Sequence, residues 1–296
     1  MTRVYVLGAG TPTPTADRFG SAYVIEEAGG MIMVDCGPAA TSKLVTAGLH
    51  PTSIDHLFFT HHHFDHDVDY PCFLLTRWDQ GAGRIEDLTV FGPAPTEEIT
   101  ERLIGERGAF AHDWRARTNH PTSQRVYVNR GGQLPRQPPS VNVKDIGPGQ
   151  TIVGPGWQVA TSAAKHVQPW LDSLAYRFET SEGSIVITGD TEPCEPVLEL
   201  ARGADMMLCM CWDDQETMRA NGEADGQCGT TDAARMAQEA GVRRLVLTHM
   251  GPHVSSDGGI EKGLADIRRI YDGEVIVSRE LMSIELRSGR TMAARV

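Results

Sequence analysis

Phe58-Phe59-Thr60-His61-His62-His63-Phe64-Asp65-His66 decides how this chain is read. An apolar run ends at Phe59, and the pattern His61-x-His63-x-Asp65-His66 follows at once. Strand alternation puts His61 and His63 on one side and His62 on the other, with Asp65 and His66 in the turn that opens a helix. Imidazole and carboxylate bind zinc at roughly 2.0–2.2 Å, and a cluster this dense suffices for two neighbouring ions. A surface histidine cluster is the bland alternative; the strand before the motif and the Asp-His after it argue against it. Asp190 and His249 each end an apolar run, where loops gather into sites. Taken alone, Asp190 reads better as an N-cap ahead of Pro193, and His249 as a strand-end His without a ligand role. No spacing singles out His166.

Working outward, short β-like runs alternate with helical ones and predict an α/β chain, hairpins first and βα units later. Strands are expected at 3–7, 22–26, 31–35, 56–60, 88–91, 158–162, 174–179, 184–188, 206–211, 243–248 and 274–277. Helices are expected at 39–47, 96–107, 193–201, 232–240 and 259–271, with Thr230 or Thr231 as an N-cap and Gly241 just past a helix end. The stretches 131–156 and 213–229 read as loops. Gly8-x-Gly10 is not a dinucleotide signature, because Thr13 replaces the third Gly and Pro12 and Pro14 obstruct the helix that must follow.

The 296 residues carry 27 Lys+Arg against 39 Asp+Glu, a net charge of −12. No repeat, low-complexity tract or linker divides them, so one domain spanning 1–296 is expected. Six Cys are too few for a secreted disulfide framework. No apolar run approaches the ~18 residues of a membrane span, and Arg3 leads straight into a strand rather than a signal peptide. The expectation is a soluble, cytoplasmic protein with no membrane partner. The acidic balance further predicts that a nucleic-acid partner is unlikely.

These motifs resemble the metallo-β-lactamase-fold hydrolases, and among them the ribonuclease Z and arylsulfatase-like branch, over nearly the whole chain. The resemblance is carried by Leu7-Gly8-Ala9-Gly10-Thr11-Pro12 with Arg18 and Ser21, by Val34-Asp35-Cys36-Gly37, and by Thr60–His66. It continues in Ala164-Lys165-His166 with Leu174-Ala175-Tyr176-Arg177, in Ile187-Thr188-Gly189-Asp190-Thr191, and in Leu247-Thr248-His249. It implies an αββα four-layer sandwich with a dinuclear metal site at the sheet edge. His61, His63 and His166 would hold one metal, Asp65, His66 and His249 the other, and Asp190 would bridge them. Asp35 would support a ligand from behind, and Asp65 would also orient or deprotonate the attacking water. The implied cofactor is two Zn2+ per chain, with Mn2+ or Fe as alternatives. His rather than Glu at 63 favours hydrolysis over di-iron redox chemistry, and Asp rather than Cys at 190 points away from the zinc β-lactamases.

The branch includes the tRNA 3′-processing nuclease, from which this chain departs. The strand equivalent to 204–211 ends there in His-Glu, where this chain has Cys209-Met210, and a His there aligns with Cys228. A basic, Gly/Pro-rich arm is also missing. With the charge of −12, these departures predict a dinuclear zinc hydrolase whose bridging hydroxide cleaves an ester-type, sulfate-ester, lactone or amide bond in a small molecule. A ribonuclease Z-like phosphodiesterase or tRNA 3′-processing endonuclease is the second reading, and a metal-binding sensor or effector without turnover the third. The segment 105–142 is read as a lid or as a solvated or dimer-forming insertion, with a homodimer possible. In it, His112 and Trp114 are candidate pocket residues, Trp114 stacking a substrate and Arg115 or Arg117 meeting an anion. Trp212 is a candidate pocket wall, and Cys228 a candidate thiol or ligand. Cys36, Cys72, Cys209 and Cys211 read as small core hydrophobes.

Overall fold

In the computed structural model, which describes residues 1–286 and 291–292, strand alternation sorts the apolar side chains into three layers. The first sheet is built from β1 (Arg3–Gly8), β2 (Ala22–Glu27), β3 (Gly30–Val34), β4 (Ile54–Phe58), β5 (Leu88–Gly92) and β6 (Val141–Asp145). The second is built from β7 (Thr151–Gly154), β8 (Trp157–Ala163), β9 (Leu174–Thr180), β10 (Gly183–Ile187), β11 (Met206–Cys211), β12 (Arg244–Met250) and β13 (Glu274–Val277). The chain then returns to the first sheet through β14 (Met282–Glu285) and β15 (Thr291–Met292), giving the orders β15-β14-β1-β2-β3-β4-β5-β6 and β13-β12-β11-β10-β9-β8-β7.

Val4, Val6, Tyr23, Ile25, Ile32 and Val34 of the first sheet meet Val159, Phe178, Ile185, Leu208 and Val246 of the second in a layer between the sheets. The alternate residues face outward. Leu7, Val24, Met33 and Leu57 pack under α1 (Ala40–Thr46), α3 (Tyr70–Gly81) and α4 (Thr96–Ile104), with the one-turn α2 (Phe64–Asp67) at the sheet edge. Met207, Cys209, Leu245 and Leu247 pack under α7 (Glu195–Ala201), α9 (Thr230–Ala240) and α10 (Gly259–Ile267). Helix, sheet, sheet, helix is the αββα arrangement the sequence implied.

Each half-sheet that carries site residues is parallel, β3 to β6 in one and β10 to β13 in the other. Their C-terminal ends therefore lie along common edges, and the residues following β3, β4 and β10 and ending β12 converge there.

Several expectations are corrected. The stretch 131–156 holds β6 and β7, edge strands whose exposed alternate residues and Pro-rich flanks hide the period. The stretch 213–229 holds α8 (Gln215–Asn221), a polar helix capped by Asp214, whose Oδ1 accepts the Thr217 N–H at 3.1 Å. Gly229, not Thr230 or Thr231, occupies the N-cap of α9, whereas Gly241 ends it in left-handed conformation. Cys72 is exposed on α3, while Cys36, Cys209 and Cys211 are buried. The segment 105–142 forms α5 (Ala111–Asn119) and α6 (Pro121–Asn129) before irregular chain. It is tied to α3 by Arg136, whose guanidinium lies 3.9 Å from the Trp78 ring centroid and 2.8 Å from Asp79 Oδ1, and Arg117 and Arg130 reach the same carboxylate. No helix of the described residues is long and apolar enough to cross a membrane.

Candidate metal centre

The centre begins at Asp35, just past β3, with the unusual φ of 58°. A non-Gly residue with φ > 0 is strained unless its surroundings hold it there. Here they do: the Asp35 N–H donates to Phe58 O at 2.9 Å, and its carboxylate accepts the Thr60 N–H at 2.7 Å and the Thr60 hydroxyl at 2.9 Å. The same carboxylate accepts His66 Nδ1–H at 2.8 Å, so His66 turns Nε2 into the site. The turn carrying Asp65 fits because Gly20 and Gly37 lack side chains. A Cβ at either would stand 2.2 Å from the Asp65 carbonyl oxygen.

His61, His63 and His166 form one half. Their ring centroids lie 4.8–5.2 Å apart, with His61 Nε2 3.1 Å and His166 Nε2 3.2 Å from His63 Nδ1. His166 Nδ1–H donates to Gly226 O at 2.7 Å, which fixes its tautomer. His62 points away, toward Asp67 at 3.1 Å and Thr96 at 2.8 Å, as alternation predicts. Asp65, His66 and His249 form the other half, with His249 Nε2 3.2 Å and His66 Nε2 3.5 Å from Asp65 Oδ2. Asp190 lies between: its Oδ2 is 3.9 Å from His61 Nε2, 3.8 Å from His166 Nε2 and 3.2 Å from His249 Nε2, and its Oδ1 is 3.6 Å from His66 Nε2. In each of the sets His61/His63/His166/Asp190 and Asp65/His66/His249, the potential ligand atoms lie within 4.8 Å of one another.

Burial alone would raise the Asp190 pKa, but His249 and His66 hold it well below the usual carboxylate value. Asp65 is likewise lowered, against burial, by the His249 hydrogen bond. Burial would lower His66 and His249; the facing carboxylates, Asp190 first, hold both above the ordinary imidazole value. Burial pushes His61 well down and His63 down. His61 and His63 are thus held toward the neutral form, whereas His66 and His249 hold protons where a cation would compete with them. Asp65 Oδ1, Asp190 Oδ1, His66 Nε2 and His249 Nδ1 are buried without a hydrogen-bond partner, a cost that a coordinated cation removes for the atoms it binds. Nitrogen and oxygen donors of this kind suit a divalent transition metal.

The other predicted site residues separate. Trp212 lies against His249, ring centroids 6.1 Å apart and 30° between planes. Trp114 is corrected: it is buried and spends its indole N–H on Ile104 O at 2.9 Å, so it anchors α5 to α4 rather than facing a substrate. His112 lines a cleft between α3 and α5 with Pro71, Cys72 and Phe110, apart from the His/Asp cluster. Cys228 is fully buried, 3.9 Å from Cys209 Sγ, and contact with Cys209 and burial push its thiol well up, away from the thiolate form. Thr60, Gly226, Gly20 and Gly37 were not singled out for these roles, because only long-range packing gives them.

Beside the centre, Asp213, Asp214 and His253 form a further set of close donors. Asp214 is already occupied by Lys262 Nζ at 2.8 Å and by Thr217. Burial would raise its pKa, but these partners bring it down to about 2 from the usual 3.8. An unfolded Asp takes up its proton first, so Asp214 contributes its full stability above about pH 4 and loses it as pH falls toward 2. Asp214→Asn is therefore expected to show a shallower loss of stability across that window. Urea unfolding at both ends of it checks this, and a slope equal to that of the parent chain counts against the assignment.

The profile described as "Beta-lactamase superfamily domain" matches residues 31–250. Ribonuclease Z from Methanosarcina acetivorans is 29% identical, over 97% of this chain and 98% of that one. The crystal structure of the metallo-beta-lactamase fold protein YhfI from Bacillus subtilis superposes with a TM-score of 0.72 at 20% identity, covering 96% of this chain and 98% of that one. The short form of human tRNase Z does so with a TM-score of 0.67 at 20% identity, covering 96% and 99%.

These relatives overturn two expectations, the small-molecule ester-type, sulfate-ester, lactone or amide substrate and the exclusion of nucleic acid. Net charge is a property of the whole chain, whereas a polyanion meets one face of it. The missing His-Glu and His leave both sets of candidate metal ligands in place. By the profile that matches residues 31–250 the chain belongs to the β-lactamase superfamily, and its end-to-end likeness to ribonuclease Z marks it as a metal-dependent hydrolase on that branch.

Proposed function

We propose that the chain is a divalent-metal phosphodiesterase of the ribonuclease Z kind, acting on RNA, with 3′-extended precursor tRNA as its substrate. The observation that carries this is the end-to-end match to a ribonuclease Z, 97% of this chain against 98% of that one. His61, His63 and His166 would hold one ion, Asp65, His66 and His249 a second, and Asp190 would serve both; zinc suits these donors, with manganese as the alternative. The ions supply Lewis acidity toward the scissile phosphate and a lowered pKa for water.

The chain's own residues do the rest. Asp65, ionised at neutral pH, accepts a hydrogen bond from the attacking water and orients it. Asp35 and the Gly226 carbonyl keep His66 and His166 turned so that Nε2 faces the cluster. Trp170, 90% exposed and four residues past His166, and Phe64, 58% exposed between His63 and Asp65, offer aromatic faces for bases flanking the phosphate. The segment 105–142 carries six Arg against Glu106 and Asp113, a net +4 within a chain of −12. Arg107, Arg115 and Arg125 there are exposed, a cationic face suited to backbone phosphates.

The metal-loaded protein is expected to cleave a 3′-extended precursor tRNA, and a chelator to abolish cleavage. Intact precursor after incubation with protein of full metal content would sink the reading. Trp170→Ala is expected to raise KM for RNA about tenfold, near the lower end of the roughly 1–3 kcal/mol that stacking supplies per base, with a much smaller change in kcat. Steady-state kinetics checks this; an unchanged KM removes Trp170 from the RNA path.

A further inference from the structure

Cutting a phosphodiester expels an alkoxide, which needs a proton in the transition state from a titratable group near neutral pH. Within the centre, His61, His63, His66, His166 and His249 are committed to the cluster, and Cys209 and Cys228 are buried thiols. Of the remaining histidines, His62 is held by Asp67 and Thr96. His50 precedes β4, His56 sits in the middle of it with its ring against Trp157, and His112 and His120 lie on the 105–142 segment.

His253 is different. It stands four residues beyond His249 at the same strand edge, its side chain 62% exposed, and its Nδ1 lies 2.7 Å from Asp213 Oδ1. Asp213 follows Trp212, whose ring lies against His249. The Gly251 N–H donates to Trp212 O at 2.9 Å, and the Thr230 N–H to Asp213 O at 3.1 Å. The first bond ties the Trp212–Asp213 stretch to the segment that carries His249 and His253, and the second ties Asp213 to the first turn of α9. A carboxylate on Nδ1 fixes the tautomer and ring direction and leaves Nε2 free.

Building on the phosphodiesterase reading, we infer that His253, oriented by Asp213, is the proton donor to the leaving oxygen. The attacking water oxygen forms its bond to phosphorus while the bond to the leaving oxygen breaks. That electron pair takes the proton from His253 Nε2. The imidazole is left neutral with Nδ1–H on Asp213, and the proton shed by the water restores it. The charged groups facing His253 are Asp213, Asp214 at 3.8 Å and Lys262, the last held by Asp214. The Asp213 hydrogen bond raises the His253 pKa above its ordinary value, which favours the charged donor.

The test compares leaving groups in the metal-loaded full chain. Bis(p-nitrophenyl) phosphate releases a phenolate that needs little help; a short oligoribonucleotide releases a ribose alkoxide that needs a proton. His253→Ala is expected to lose about 10²-fold or more in kcat on the oligonucleotide, and at least about tenfold less than that on the nitrophenyl diester. The alkaline limb of the kcat–pH profile on the oligonucleotide should disappear in His253→Ala and move to lower pH in Asp213→Asn. His253→Gln, which keeps a polar side chain of similar length, should behave as Ala does. Equal losses on both substrates, or a persisting alkaline limb, overturn the inference while the phosphodiesterase reading stands. A parent chain that cleaves neither diester overturns both.

Discussion

Asp190→Ala is expected to lose roughly 10³-fold or more in kcat/KM toward any phosphodiester, about 4 kcal/mol of transition-state stabilisation. It is also expected to purify with less bound divalent metal than the parent chain. Among the described residues no other approaches both donor sets in this way, with Nε2 of His61, His66, His166 and His249 all 3.2–3.9 Å from its carboxylate. Its negative charge is also the largest attraction raising the pKa of both His66 and His249. Removing it leaves five imidazoles and Asp65 as the one carboxylate among the donors to offset a bound cation. Asp190→Asn keeps the shape and one oxygen donor but not the charge, so its metal content should fall between those of the parent and the Ala variant. Elemental analysis of the purified proteins, with kinetics on the same samples, decides the matter. An Ala variant with full metal content and parental kcat/KM would falsify the bridging role.

What could be read in advance follows the range over which a signal acts. His61, His63, Asp65 and His66 lie in one strand-end turn, so local alternation assigns their faces, and the outward aim of His62 agrees. Asp190 and His249 were legible only as strand ends, because a parallel half-sheet gathers such ends without marking which of them will meet. His166 carries no local signal: its tautomer is set by the carbonyl of Gly226, 60 residues away. Trp114 misled because an aromatic flanked by His and Arg reads as a pocket wall, whereas packing spends its N–H on Ile104. The charge misled for the opposite reason. An average over 296 residues conceals one cationic segment, the stretch 105–142.

Asp35→Asn is the sharpest test of how the centre is held. Burial holds the Asp35 carboxyl above its usual pKa although His66 and Thr60 draw it partway back, so its charge depends on those partners. An amide of the same shape can still accept the Thr60 N–H through its oxygen. Its NH2 group then faces His66 Nδ1, which must become the acceptor and move the imidazole proton to Nε2. Nε2 is the atom that faces Asp65 Oδ2 at 3.5 Å and Asp190 Oδ1 at 3.6 Å, and a protonated Nε2 cannot bind a metal. The expected result is roughly a 10–100-fold loss of metal affinity confined to the Asp65/His66/His249 half, with the His61/His63/His166 half much less affected. Asp35→Ala removes the acceptor altogether and leaves His66 Nδ1 and the Thr60 N–H buried and unpaired, so it should also destabilise the metal-free fold by about 3–5 kcal/mol. Chelator competition measures the first effect and denaturant unfolding the second. The Asn variant loses metal because of a proton's position and the Ala variant because the support is gone, so parental affinity in Asp35→Asn would mean that Asp35 only packs the turn and does not set the tautomer.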